Sequence, residues 1–251
     1  MTRQRKALLV TGASRGIGAA TARLAAANGW RVAVNYVRDE QAARKVVSEI
    51  EEQGGEAFMA QGDVASEDDI MAMFEAVDSR FGGLEGLVNN AGVVDAKCRV
   101  DAMSAARLER MMRINVTGSI LCAREAVKRM STTHGGQGGA IVNVSSVAAV
   151  LGSAGEYVDY AASKAAIDTF TVGLAREVAE EGIRVNAVRP GVTDTDIHAS
   201  GGQPDRAQRV AAAIPMKRPG SADEIARAIV WLLSDDASYT TGALLDVSGG
   251  R

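Results

Sequence analysis

The 251-residue sequence has little of several things. It contains two cysteines (Cys98 and Cys122), two histidines (His134 and His198), four prolines and 4% aromatic residues. Two cysteines cannot build a multi-bridge disulfide framework, which fits a reducing compartment. Two histidines supply no workable ligand set for a histidine-rich metal centre. So few prolines, with 47% apolar and 24% charged residues, exclude disordered and fibrous chains. A net charge of −3 without long like-charge blocks leaves no electrostatic footprint for nucleic acid.

Long apolar runs are also missing. Arg3, Arg5 and Lys6 precede only Ala7-Leu8-Leu9-Val10, too short for a signal peptide. The uncharged stretch 135–155 has membrane-spanning length, yet it carries Gln137, Asn143, three serines and six glycines. Polar groups at that density are too costly in lipid. These observations predict a soluble, cytoplasmic protein with no membrane partner.

What the sequence does contain is alternation. Short β-rich runs at 7–11, 31–36, 57–60, 86–89, 140–144, 184–188 and 244–247 are separated by helical periodicity at 40–53, 67–81, 105–130, 158–180 and 222–233. Most runs are continuously apolar, as parallel strands covered on both faces must be. The repeated order predicts an α/β fold, a doubly wound Rossmann-type sheet of about seven parallel strands, with residues 1–251 forming one domain. Ser66 before Asp69 and Ser221 before Glu224 predict helix N-termini. Residues 131–139 read as an exposed loop. The long irregular stretch 190–215 is expected to hold at best a short helix, with 191–215 a substrate lid or, blandly, a surface insertion.

After the first strand comes Thr11-Gly12-Ala13-Ser14-Arg15-Gly16-Ile17-Gly18, leading into an alanine-rich helical pattern. Glycines there permit a tight turn and close phosphate approach, and the helix N-terminus offers free N–H groups to a pyrophosphate. The spacing is G-x-x-x-G-x-G, which matches the general dinucleotide fingerprint only in kind. Gly12-Ala13-Ser14-Arg15-Gly16 also reads as G-x-S-x-G, the nucleophile elbow of serine hydrolases. That alternative would make Ser14 the nucleophile and His198 its base, but leaves Gly18 and the pair described next unused.

Tyr160-Ala161-Ala162-Ser163-Lys164 puts a phenol and an ammonium four residues apart on one helix face. A free tyrosine, with a pKa of about 10, is a poor base at neutral pH. A neighbouring cation favours the phenolate and would make Tyr160 a usable proton donor and acceptor at an alcohol or carbonyl oxygen. Tyr157 has Ala161, not a cation, four residues on. In isolation such a pair is an ordinary solvated helix face; the phosphate turn and the polar strand ends argue otherwise.

Together these motifs resemble the short-chain dehydrogenase/reductase family over nearly the whole chain. Thr11-Gly12-x-x-x-Gly16-Ile17-Gly18 resembles its cofactor turn, Asp63-Val64 its adenine pair, and Asn89-Asn90-Ala91-Gly92 its motif after the fourth strand. Asn115, Ser146, Tyr160 and Lys164 match its four catalytic positions, and Pro190-Gly191-Val192 with Thr195 its nicotinamide and phosphate contacts. The resemblance implies hydride transfer between a substrate carbon and nicotinamide C4. It gives Tyr160 the proton transfer, Lys164 the ribose hydroxyls, Ser146 the substrate oxygen, and Asn115 a proton-relaying water. It also implies a homotetramer built through the helices at 105–130 and 158–180 and the C-terminal strand, and a small carbonyl or alcohol substrate. An epimerase or dehydratase of similar fold is the second enzymatic reading.

Two choices within the resemblance rest on local chemistry. An NAD enzyme places Asp or Glu at the end of the second strand to hold the adenosine 2′-hydroxyl. Here Asn35-Tyr36 stands there, with Arg15 and Arg38 nearby, so NADP(H) is expected. Ser145 and Ser146 both end the fifth strand, and alternating side chains cannot send both into one pocket. Alignment through Ile141-Val142-Asn143-Val144 selects Ser146. Asn89 and Asn186 are expected to tie strand ends, and Ile197, His198, Ala199 and Met216, with Ala96 and Gly155, to line the substrate space.

Overall fold

A computed structural model describes residues 6–195, 201–203 and 205–251. Seven parallel strands form one sheet in the order β3-β2-β1-β4-β5-β6-β7. They are β1 (Ala7–Val10), β2 (Arg31–Tyr36), β3 (Glu56–Gln61), β4 (Gly86–Asn89), β5 (Gly139–Val144), β6 (Ile183–Pro190) and β7 (Leu244–Val247). The main helices are α1 (Gly16–Ala27), α2 (Glu40–Glu52), α3 (Glu67–Phe81), α4 (Ala105–Met112), α5 (Ser119–Met130), α6 (Ala148–Leu151), α7 (Val158–Glu177), α8 (Arg206–Arg209) and α9 (Ala222–Leu233). Strand order reverses between β1 and β4, and the crevice beyond the carboxyl ends of such strands is where ligands bind in doubly wound sheets.

Alternation along each strand supplies two cores. Leu8, Val10, Val32, Val34 and Val142 face α1, α2 and α9, where Val46, Ile50, Ile225 and Ile229 are buried. Leu9, Ala33, Leu87 and Ile141 face the opposite layer, packing with Ile70, Phe74 and Val77 of α3 and Cys122 and Ala126 of α5. Helix ends follow local chemistry. Ser221 and Glu224 form a full capping box on α9, whereas Ser66 caps α3 through the Asp69 N–H alone. Gly82, at φ 77°, closes α3 in the left-handed region.

The structure departs from sequence periodicity in one important place. The expected helix over 105–130 is interrupted by a π-helical segment, Arg113–Gly118, between α4 and α5. Gly118 there sits against the Val64 carbonyl, where a Cβ would lie 2.5 Å from the oxygen, so only glycine lets the segment reach the β3–α3 loop. Smaller differences are end effects: β6 runs to Pro190, whose missing N–H costs nothing at a strand terminus, and α7 stops at Glu177 before a 3₁₀ turn. Within the 190–215 stretch the described residues include the short helix α8, and no helix among the described residues is long and apolar enough to cross a membrane.

Candidate active site

The glycine turn is held by the neighbouring strands. Gly12 N–H donates to Asn35 Oδ1 at 2.9 Å, and Asn90 Nδ2 donates to the Thr11 and Gly12 carbonyls at 2.8 and 3.0 Å. Thr11 Oγ1 accepts the N–H groups of Asn90 and Ala91, both at 3.0 Å. A Cβ on Gly18 would lie 2.5 Å from both Asn90 Nδ2 and the Gly12 carbonyl, so glycine there is a packing requirement. Gly16 faces Thr195, which the segment after β6 brings across the turn. No side chain caps α1, so its first N–H groups remain available to an anion.

Asn35 therefore has a job the sequence reading did not give it. Its side chain is buried and also donates to the Ala60 and Gly62 carbonyls at 3.1 and 2.9 Å. Tyr36 packs in the core beside it. Ser14 is half-buried, while Arg15 and Arg38 are exposed and make no ion pair with a described residue. Asp39, the nearest carboxylate in sequence, is engaged in capping α2 through the Ala42 N–H. Asp63 folds onto its own loop, accepting the Ala65 N–H at 2.9 Å, and Val64 is buried.

Beside this turn opens a cavity of about 590 Å³. Its wall includes Ile17, Asn90, Gly92, Ser146, Tyr160, Lys164, Pro190, Gly191, Val192 and Thr195, bringing together ten of the residues singled out by sequence. The two serines separate as strand alternation requires. Ser145 is buried and donates to the Lys164 carbonyl at 3.1 Å, whereas Ser146, whose Oγ accepts the Ala148 N–H at 3.1 Å, lines the cavity with Tyr160. Lys164 Nζ donates to the Val144 carbonyl at 2.8 Å and lies 5.7 Å from the Tyr160 ring centroid. A Cβ on Gly92 would come within 3.4 Å of both Lys164 Nζ and Asn115 Oδ1, so the glycine leaves open the space these two groups face.

A family model described as "Enoyl-(Acyl carrier protein) reductase" matches residues 12–251. The chain belongs to the short-chain dehydrogenase/reductase family. It is 58% identical to "Uncharacterized oxidoreductase YgfF" of Escherichia coli strain K12, over 97% of this chain and 98% of the relative. It is 40% identical to "3beta-hydroxysteroid dehydrogenase 1" of Eggerthella lenta, over 98% and 93% of the two chains. Its fold is similar to the crystal structure of a short-chain dehydrogenase from Burkholderia cenocepacia J2315 in complex with NADP. That match has a TM-score of 0.90 and 34% identity, over 99% of each chain. Membership makes the chain an oxidoreductase and sets aside the Ser14 nucleophile reading; His198 lies outside the described residues.

Electrostatics in this short-chain dehydrogenase/reductase differ from the sequence expectation. Burial pushes the Tyr160 phenol above its ordinary value, while the Ser146 hydrogen bond and the Arg206 charge pull it down. Lys164 is itself pushed down by burial to about 8, with Asp168 opposing. At about 8 Lys164 still carries its charge at neutral pH, but the groups that pull the phenol down here are Ser146 and Arg206. Tyr157, expected to lack a cation, has the Arg206 guanidinium 5.4 Å from its ring centroid. Its hydroxyl accepts from Gln203 Nε2 at 2.5 Å, and burial raises its pKa too.

Asn115 sits in the π-helical segment, a distortion often found at functional sites. Its Oδ1 accepts the Val93 N–H at 2.8 Å, and its Nδ2 reaches the Val93 carbonyl and Ser163 Oγ at 3.0 and 3.1 Å. Ser163 in turn donates to the Tyr160 carbonyl at 2.7 Å. Asn115 thus pins the loop after β4 to α7, next to the phenol. Asn89 and Asn186 are structural, as expected: Asn89 bonds Asn143 and the Ser119 carbonyl, and Asn186 ties β6 to Thr240 and Ala243. Sequence reading missed Ser163, signalled only by its place between Tyr160 and Lys164, and Arg206, which no motif marks.

Proposed function

We propose that the chain is an NADP(H)-dependent oxidoreductase that interconverts a carbonyl and a secondary alcohol, with Tyr160 as the proton-transferring group. The observation that carries this reading is the convergence of Tyr160, Ser146 and Lys164 on one cavity beside an uncapped helix N-terminus. The residues fit the cofactor: α1 presents N–H groups for a pyrophosphate, and Gly92 leaves open the space faced by Lys164. Exposed Arg15 and Arg38 suit a 2′-phosphate. When bound, the nicotinamide supplies or accepts the hydride.

The chain's own residues do the rest. Lys164 spends one Nζ donor on the Val144 carbonyl and keeps two for ribose hydroxyls. The Ser146 hydroxyl, held near the phenol, donates to the substrate oxygen where charge develops. Tyr160 passes its phenolic proton to that oxygen in reduction and takes it back in oxidation. Asn115 acts as a positioning residue, through Ser163 and Val93. Exposed Leu108, Met112 and Ile120 support the tetramer implied by resemblance, since they leave apolar surface on α4 and α5.

The test follows NADPH absorbance with a panel of ketones, comparing the wild type with Tyr160→Phe. Turnover by the wild type, with at least a ~1000-fold loss in the variant and retained NADPH binding, is expected. Undiminished turnover by Tyr160→Phe overturns the reading.

A further inference from the structure

Arg107 of α4 and Asp159 of α7 form an ion pair that no motif marks and no step of the proposed mechanism uses. Arg107 Nε donates to Asp159 Oδ2 at 2.7 Å and Nη2 to Oδ1 at 3.2 Å, so the guanidinium grips the carboxylate as a fork. Its remaining nitrogen, Nη1, donates to the Ala96 carbonyl at 2.6 Å, in the loop after β4. The two side chains are only 10% and 2% exposed. Burial works against a charged Asp159, and the Arg107 bonds more than offset it, holding the carboxyl below its ordinary value. A buried pair of this kind adds little net stability over apolar packing; what it fixes is geometry.

Asp159 immediately precedes Tyr160, and both stand in the first turn of α7. No side chain caps that turn, and the chain enters it through Gly152, Ser153 and Gly155, all at positive φ. Neighbouring side chains on a helix diverge by about 100°, so Asp159 meets α4 while Tyr160 lines the cavity. One turn further on the pattern repeats. Asn115 Nδ2 donates to Ser163 Oγ at 3.1 Å, and the next residue, Lys164, lines the cavity. Asp159 and Ser163 are therefore anchors four residues apart on one face of α7, with Tyr160 and Lys164 on the adjacent stripe. A single anchor leaves the first turn free to fray or swivel; two, a turn apart, fix the rotation of the helix and the place of the phenol.

Resting on the proposed carbonyl/alcohol chemistry, we infer that Arg107 is a positioning residue for Tyr160. Its fork on Asp159 holds the first turn of α7 in register with the Asn115–Ser163 anchor. Its bond to Ala96 fastens to the same point the loop that carries Val94, another residue of the cavity wall. Neither Arg107 nor Asp159 belongs to that wall, so the pair acts only through the backbone it holds.

The experiment follows a single turnover of the NADPH-loaded enzyme with cyclohexanone, heptan-2-one and ethyl acetoacetate, in light and heavy water. It compares the wild type, Arg107→Lys and the double variant Arg107→Met/Asp159→Leu. The double variant leaves no unpaired buried charge, so it is expected to fold and to bind NADPH like the wild type, as thermal melting and cofactor titration report. Its rate on the fastest ketone should fall at least about tenfold, the scale of a misplaced reacting group. Its solvent isotope effect should rise, because proton transfer from a displaced phenol becomes the slower event; a pair that only adds stability would shift melting and leave the isotope effect alone. Arg107→Lys keeps the charge but not the fork, and should lose at least about threefold. It decides alone if the double variant does not melt cooperatively. An undiminished rate, or a slower one with an unchanged solvent isotope effect, overturns the positioning role and leaves the reductase reading intact. Absence of wild-type turnover on all three ketones, with NADPH binding retained, overturns both.

Discussion

Asn35 Oδ1 accepts the Gly12 N–H at 2.9 Å, so the second strand shapes the glycine turn from behind. The same amide donates to the carbonyls of Ala60 and Gly62, which ties β2, β3 and the turn into one unit. Truncating it to alanine leaves buried partners unsatisfied and is expected to cost about 2–4 kcal/mol of stability. Urea unfolding of Asn35→Ala checks this, and an unchanged midpoint would show that the bonds are replaceable.

Arg15 and Arg38 stand exposed near the glycine turn and make no ion pair with a described residue. If they bind a 2′-phosphate, Arg15→Ala/Arg38→Ala should weaken NADPH binding by about 10–100-fold, on the scale of charge-assisted bonds. NADH affinity should change little. Titration by cofactor fluorescence decides it, and equal effects on the two cofactors would refute the assignment.

The two serines predict opposite phenotypes. Ser146 lines the cavity with the Tyr160 phenol, and Ser146→Ala is expected to lower kcat/KM by at least about 100-fold. Ser145 holds the Lys164 carbonyl at 3.1 Å, so Ser145→Ala should chiefly reduce stability, by about 1 kcal/mol. The reverse ranking in activity would mean that the strand end presents the other hydroxyl.

Burial of Lys164 makes stability depend on pH. Its ammonium titrates at about 8 in the folded chain against an ordinary lysine value of 10.5. Between these values the unfolded state binds more protons, so this group's contribution to stability rises with pH; below the lower value the full penalty remains. Relative to Lys164→Met, the wild type should gain about 1.5 kcal/mol between pH 8 and pH 9.5. Denaturant unfolding at the two pH values measures it, and a pH-independent difference would place the lysine in water.

Most of the fold was legible because each strand and helix advertises its own burial. Residues 31–36, 86–89 and 244–247 read as strands with the observed ends, and 67–81 and 222–233 as helices with theirs. Local spacing likewise marked the glycine turn and the Tyr160/Lys164 pair. The helix over 105–130 was misread, because its apolar periodicity runs through the π-helical segment without a break. What forces the extra residue into that turn lies elsewhere: the Val93 backbone and Ser163 holding Asn115, and the Val64 carbonyl pressing on Gly118.

By itself, the sequence determined what short-range chemistry determines: parallel strands with two buried faces, a turn that only glycine can make, and that the two strand-end serines cannot both face one pocket. The tertiary structure alone decided which distant groups share an environment. It turned Asn35 onto Gly12, drove Lys164 down by burial, and brought Arg206 to the cavity wall that also holds Tyr160, 46 positions away in sequence. Hydrophobic periodicity reports how each residue faces the core of its own element, whereas desolvation and pairing depend on what the other layers place against it.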